Sequence, residues 1–137
     1  SKSLVAENKL NKMIDEIKEK YNLPADKIII AGFSQGCMLA LQTGIKRKDK
    51  LNSIIGYSGR IINTEHLSKN LVSKPNIMLM HGDLDQVVTI DSFLEAKEFF
   101  GKNNYEIETK IFKNCEHRIP TEGSSLGLQF IKKQFNS

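Results

Sequence analysis

The segment Gly32-Phe33-Ser34-Gln35-Gly36 sets one hydroxyl between two glycines. A serine hydroxyl is a weak nucleophile and needs a base to take its proton. Held on a strained turn between a strand and a helix, it is exposed. The first N–H of the helix then points at the oxygen of an attacked carbonyl. Gly32 and Gly36 are expected to lack side chains so that strand and helix approach each other. Gln35 is the expected oxyanion donor through its backbone N–H. The chemistry implied is acyl transfer to Ser34 and release of the acyl group to water. The plainer alternative is a serine that caps the helix through its side chain.

A base and an orienting acid must come from elsewhere in the chain. The histidines are His66, His81 and His117. His117, in Cys115-Glu116-His117-Arg118, follows the last apolar strand and is placed to reach across to Ser34. His81 reads as a structural hydrogen-bonder and His66 as an exposed residue on a polar helix. The acid is expected between serine and histidine in chain order. There His81-Gly82-Asp83-Leu84-Asp85 offers two carboxylates, Asp83 and Asp85. Either one would hold the histidine tautomer and stabilise its cation.

These residues need a frame, and the hydrophobic pattern supplies one. Apolar residues at Leu10, Met13, Ile14, Ile17 and Tyr21 mark one face of a helix over 3–21. Residues 27–33, 51–57 and 76–80 are short apolar runs of the kind found in strands covered on both faces. Residues 105–112 alternate more, as suits a strand nearer an edge. Helices are predicted over 35–45, 64–71, 91–100 (Phe93, Leu94, Ala96 and Phe100 inward) and 123–135 (Leu126, Phe130, Ile131 and Phe135 inward). The order αβαβαβαβα predicts one α/β domain over 1–137, with about four parallel strands and helices on both faces. Ligands of such sheets bind beyond the carboxyl ends of the strands. Ser34, Ser58, residues 81–88 and residues 114–119 all follow strands.

The motifs GFSQG, HGDLDQVV and EHRI, in this order and context, resemble the phospholipase/carboxylesterase family of α/β hydrolases, which includes acyl-protein thioesterases. The resemblance runs through essentially the whole chain. It implies that Asp85, not Asp83, is the triad acid and that His117 is the base. Asp83 is then expected to cap a turn or bond its own backbone. Cys37 stands where the family has a second glycine after the elbow, and Glu116 where it has a glycine before the histidine. The implied substrates are carboxylic esters, lysophospholipids or acyl thioesters, with no metal and no cofactor.

The family fold also begins with strands that precede the first helix of this chain. They include an HGxGD-like loop that donates a second oxyanion N–H. The only His-Gly pair here is His81-Gly82, in the acid loop. The chain thus reads as the C-terminal part of the fold, with half the oxyanion hole and part of the acyl-binding wall outside it, and with weak activity. Strand 27–33 is then expected at a sheet edge, apolar and guarded only by Lys27. An apolar edge is a template for pairing, and an antiparallel two-fold homodimer through this strand is expected. Two alternatives to an active enzyme stand beside this: a crippled remnant that persists as a self-associating domain, or one half of a two-chain esterase.

Composition narrows the classes further. Among 137 residues, Lys and Arg number 20 and Asp and Glu 16, giving a net charge of +4 without an arginine-rich stripe. Nucleic acid is therefore not an expected partner. Cys37 and Cys115 form no C-x-x-C pair and are expected to pack as small apolar residues. That usage points to a reducing, cytoplasmic setting. No apolar stretch approaches the ~20 residues of a membrane span, and no secretory h-region opens the chain. Lys46, Lys48 and Lys50 are expected as a solvated helix end.

Overall fold

The structure is a computed structural model and describes residues 2–136; Ser1 and Ser137, the ends of the expected domain, lie outside the described residues. Its elements are α1 (Lys2–Tyr21), β1 (Ile29–Phe33), α2 (Gln35–Ile45), β2 (Ser53–Tyr57), α3 (Thr64–Ser68), β3 (Asn76–Gly82), α4 (Ile90–Lys102), β4 (Ile107–Phe112) and α5 (Thr121–Phe135). The four strands form one parallel sheet in the order β1-β2-β3-β4.

The side-chain period of a strand divides the core between the two faces of this sheet. On one face Ile54, Ile77 and Leu79 pack against α2, α3 and α4 through Leu41, Ile45, Leu67, Phe93 and Phe100. On the other, Ile55, Tyr57, Met78, Met80 and Phe112 pack against Phe130 and Leu126 of α5. Full burial of an aliphatic or aromatic side chain of this size contributes about 1.5–3 kcal/mol. Tyr57 ties its face together by donating from its hydroxyl to the Gly123 carbonyl at 2.9 Å.

α1 belongs to the first face but rests on α2 rather than on the middle of the sheet. Ile14 and Leu10 pack on Leu51, Ile28 and Ile30. Arg47, buried after the end of α2, donates to Asn11 Oδ1 at 2.9 Å and to Asp15 Oδ1 at 2.7 Å, and pairs with Asp49. The expected apolar face of this helix is therefore only half buried. Met13, Ile17 and Tyr21 point outward because the helix turns its polar seam toward α2. The same seam corrects Lys46, which is not solvated like its neighbours but pairs with the buried Glu7.

Several boundaries also move. A 3-10 turn at Ala25–Lys27 delays β1 to Ile29. Strand β3 runs on to Gly82 because β4 pairs with it there, Gly82 opposite Phe112. Tyr105 precedes β4 as a core plug: its ring meets Phe100 edge-on at 5.1 Å and its hydroxyl donates to Ser73 O at 2.9 Å. In α4 the inward arc is Phe93, Ala96, Phe99 and Phe100, while Leu94 is exposed; in α5, Phe135 is exposed.

Candidate active site

Register brings the carboxyl ends of the strands level, since Phe33 lies opposite Tyr57 in β1 and β2. The ladder continues one step past the strands. Ser34 N donates to Tyr57 O at 2.8 Å, Ser58 N to Met80 O at 2.9 Å and Asp83 N to Phe112 O at 2.9 Å. The chain leaves each strand at one rim of the sheet, and the chemistry-bearing side chains meet there.

Ser34 sits between β1 and α2 with φ 58° and ψ −118°. A left-handed φ is costly for a residue with a β-carbon and persists only where its surroundings enforce it. Gly32 is part of that enforcement: a β-carbon there would fall 2.2 Å from Gly36 O and 2.6 Å from Cys37 N. Gly36 is different from expectation. A β-carbon at Gly36 would meet nothing within 4 Å, so the close approach needs only Gly32 bare. The side chain of Ser34 makes no capping bond to α2, which removes the capping alternative. Gln35 opens α2, where backbone N–H groups have no intrahelical acceptor.

Ser34 Oγ lies instead 3.1 Å from His117 Nε2, and His117 Nδ1 lies 2.7 Å from Asp85 Oδ2. Hydrogen bonding on both sides fixes the tautomer: Nδ1–H donates to the carboxylate and Nε2 is left to accept from the serine hydroxyl. The imidazole packs against the Phe33 ring from one side, the two rings tilted by 41° with centroids 4.8 Å apart. That contact was not anticipated. Its signal was the aromatic residue directly before the serine, which strand alternation turns toward the α5 face of the sheet.

Asp85 is buried, and burial alone would raise its pKa. The hydrogen bond from His117 and the N–H groups of Val88 and Val87, both 2.9 Å from Oδ1, outweigh burial and hold the carboxyl below its ordinary value. His81, fully buried, donates from Nε2 to Val88 O at 2.7 Å and so braces the same turn from beneath. Asp83 takes no part in this chain. Rather than bonding its own backbone, it accepts from Cys115 N at 3.3 Å and so tethers the loop that carries His117. His66 is exposed on α3.

Both cysteines are free and buried. Burial pushes the Cys37 thiol up to about 12, against a backbone hydrogen bond with Gly59. A thiol so placed is inert. Among the described residues no cluster of three or more His, Cys, Asp or Glu side chains is arranged to hold a metal ion. No helix among them is long and apolar enough to cross a membrane.

The chain is similar to several known proteins. The profile of the Phospholipase/Carboxylesterase family matches residues 4–135. Acyl-protein thioesterase 1 of Saccharomyces cerevisiae is 35% identical over 141 aligned residues, covering 95% of this chain and 60% of its own length. Acyl-protein thioesterase 1 homolog 1 of Dictyostelium discoideum is 35% identical over 130 residues, covering 93% of this chain and 58% of its own. The crystal structure of esterase PE8 superposes with a TM-score of 0.92 at 31% identity, over 97% of this chain and 62% of that one. That of Arabidopsis thaliana SOBER1 gives 0.89 at 22% identity, over 96% and 64%, a likeness of fold alone. The chain thus spans about 60% of the length of such relatives.

Proposed function

The chain belongs to the phospholipase/carboxylesterase family of α/β hydrolases, and from that premise we propose that it is a serine hydrolase of carboxylic esters, lysophospholipids or acyl thioesters. The observation that carries the proposal is the hydrogen-bonded series Ser34 Oγ, His117, Asp85 at 3.1 and 2.7 Å. In the proposed reaction His117 Nε2 takes the Ser34 proton as Oγ attacks the acyl carbon. Asp85 stabilises the imidazolium that forms. The oxyanion is met by the N–H of Gln35 at the start of α2. The tetrahedral adduct collapses as His117 gives its proton to the departing alcohol or thiol. Water, deprotonated by the same histidine, then frees the acid and restores Ser34. The substrate is a small ester or acyl compound, the setting cytoplasmic, and no step calls for a metal or cofactor.

Activity of this chain alone is proposed to be weak. One oxyanion donor, Gln35, is proposed here, and removal of a single donor elsewhere costs on the order of 10²–10³ in rate. A short p-nitrophenyl ester tests this. Turnover that vanishes in Ser34→Ala supports the assignment. Turnover unchanged in Ser34→Ala overturns it. Adding the N-terminal part of a curated relative in trans then separates a self-sufficient chain from one half of a two-chain esterase.

A self-associating role is a second reading, favoured by a specific surface. Among the described residues β1 pairs only with β2, which leaves its other edge open. Ala31 and Phe33 are exposed beside that edge, and Met13, Ile17 and Tyr21 of α1 are exposed as well. The partner proposed for this surface is a second copy, its β1 paired antiparallel to this one across a two-fold axis.

A further inference from the structure

Beside Ser34 lies a cleft of about 200 Å³, walled by Met38 of α2 on one side and by Val87 and Val88 on the other. Among its lining residues only Arg60 carries a charge.

The fold puts Arg60 there. Past β2, Ser58 takes a left-handed φ of 54° with its N–H bound to Met80 O. Gly59 is then pressed on the elbow, where a β-carbon would fall 2.5 Å from Cys37 Sγ and 3.0 Å from Ser34 O. The next residue leaves the elbow at the rim of the cleft. Its side chain is exposed, and among the described residues it makes no hydrogen bond or ion pair. Arg47 shows the contrast. That guanidinium is buried and bonded to Asn11, Asp15 and Asp49, an arginine that joins two helices. The buried carboxylate behind the Val87–Val88 wall, Asp85, is taken by His117 and by the Val87 and Val88 amides. Arg60 therefore has five N–H donors, a permanent positive charge and no acceptor.

We propose that Arg60 determines specificity by binding an anionic group, a carboxylate or phosphate, carried by the substrate away from the reacting carbonyl. This rests on Ser34 being the nucleophile, as proposed above. A guanidinium recognises such oxyanions in a two-pronged geometry. Fixing the far end of the substrate holds the ester against Ser34 and lowers the entropy still to be lost in attack. A neutral ester lacks this charged anchor. Because Arg60 is exposed, salt weakens the preference. The anion has two possible sources, the acyl portion or the leaving group.

The test measures kcat/KM for matched anionic and neutral esters. Mono-p-nitrophenyl glutarate against p-nitrophenyl valerate places the charge on the acyl side. A 5-carboxy-2-nitrophenyl butyrate against 2-nitrophenyl butyrate places it on the leaving group. The ratio is taken within each variant, so differences in the amount of folded enzyme cancel. In Arg60→Met the anionic-to-neutral ratio is expected to fall roughly 5- to 20-fold on one arm. Arg60→Lys is expected to restore part of it, and the wild-type ratio to shrink as salt is raised. Equal ratios in wild type and Arg60→Met on both arms, with neutral-ester turnover still abolished by Ser34→Ala, would overturn the role of Arg60 alone. No turnover of any ester and no labelling of Ser34 by a fluorophosphonate would instead overturn the hydrolase proposal, and this inference with it.

Discussion

Gly82 and Cys115 meet backbone to backbone: a β-carbon on Gly82 would lie 2.2 Å from the Cys115 carbonyl oxygen and 2.6 Å from that of Glu116. Both neighbours are main chain, so neither can swing aside as a side chain would. The loop carrying His117 is seated on the end of β3 by this contact, and Leu84 N donates to the same Cys115 carbonyl at 2.9 Å. Gly82→Ala is therefore expected to lift the loop and move His117 away from Ser34. A shift of about 1 Å at a reacting group costs about 10² in rate. Esterase turnover read beside the thermal midpoint checks this. An active, equally stable Gly82→Ala enzyme would show that the contact does not position the base.

The two glycines of the elbow are expected to part company on substitution. Gly32→Ala collides with the backbone of Gly36 and Cys37 and should disrupt the elbow. Gly36→Ala meets open space inside a helix, where alanine is better than glycine by up to about 1 kcal/mol. It is expected to raise the urea midpoint slightly and to leave Ser34 in place. Destabilisation by Gly36→Ala comparable to that of Gly32→Ala would contradict this account.

Asp85 ties stability to pH in one direction. Its carboxyl titrates below its ordinary value in the folded protein, so folding is favoured by its ionised form. That contribution is complete at pH above the unfolded value of about 3.9. It is lost as pH falls through the folded value, and Asp49, lowered by Arg47 and Lys18 against its own burial, behaves in the same way. Urea titrations between neutrality and pH 3 should show stability dropping at the acid end. Asp85→Asn should flatten that drop. By analogy with other triads it should also cut turnover on the order of 10³–10⁴, because the amide no longer enforces the His117 tautomer.

Neither thiol should react in the native state. Cys37 is held near 12 and wedged between Gly56 and Gly59, and Cys115 is also buried. Dithionitrobenzoate is expected to release no colour until urea unfolds the chain, and then to count two thiols. Rapid reaction of one thiol in buffer would contradict the packing described.

The open side of β1 predicts a concentration-dependent dimer. Light scattering at micromolar protein should report twice the chain mass, and Ala31→Lys, which sets a charge on the exposed face beside that edge, should shift it toward the monomer. A wild-type chain that stays monomeric in this range would remove the self-association proposal.

Much of this architecture was legible because its signals are local. A parallel strand covered on both faces is a short apolar run, and Ser53–Tyr57 and Asn76–Gly82 show it plainly. Ser34 and His117 stood out because each lies just past a strand, whereas Asp85 was preferred to Asp83 only through the resemblance of HGDLDQVV to a family motif. What was hidden is tertiary. Asp83 and Cys115 bond across 32 residues, which no window of sequence displays. Leu94 and Met13 fall on apolar stripes, yet the helices present neighbouring residues to the core. No motif singles out Arg60, and its place at the cleft follows from the bare Gly59 pressed on the elbow before it.

The strand order β1-β2-β3-β4 repeats the order of the chain, so each strand docks on the one just made. Assembly can then proceed as the polypeptide emerges from the ribosome, with little need to wait for distant partners. The serine and the carboxylate are in hand once β3 and its following turn have formed. His117 arrives only after β4, 83 residues beyond Ser34. A nascent chain halted after α4 would hold β1, β2 and β3, with Ser34 not yet joined by His117. On the proposed mechanism, nucleophilic competence would come only after β4, and would be lost again when β4 and α5 detach.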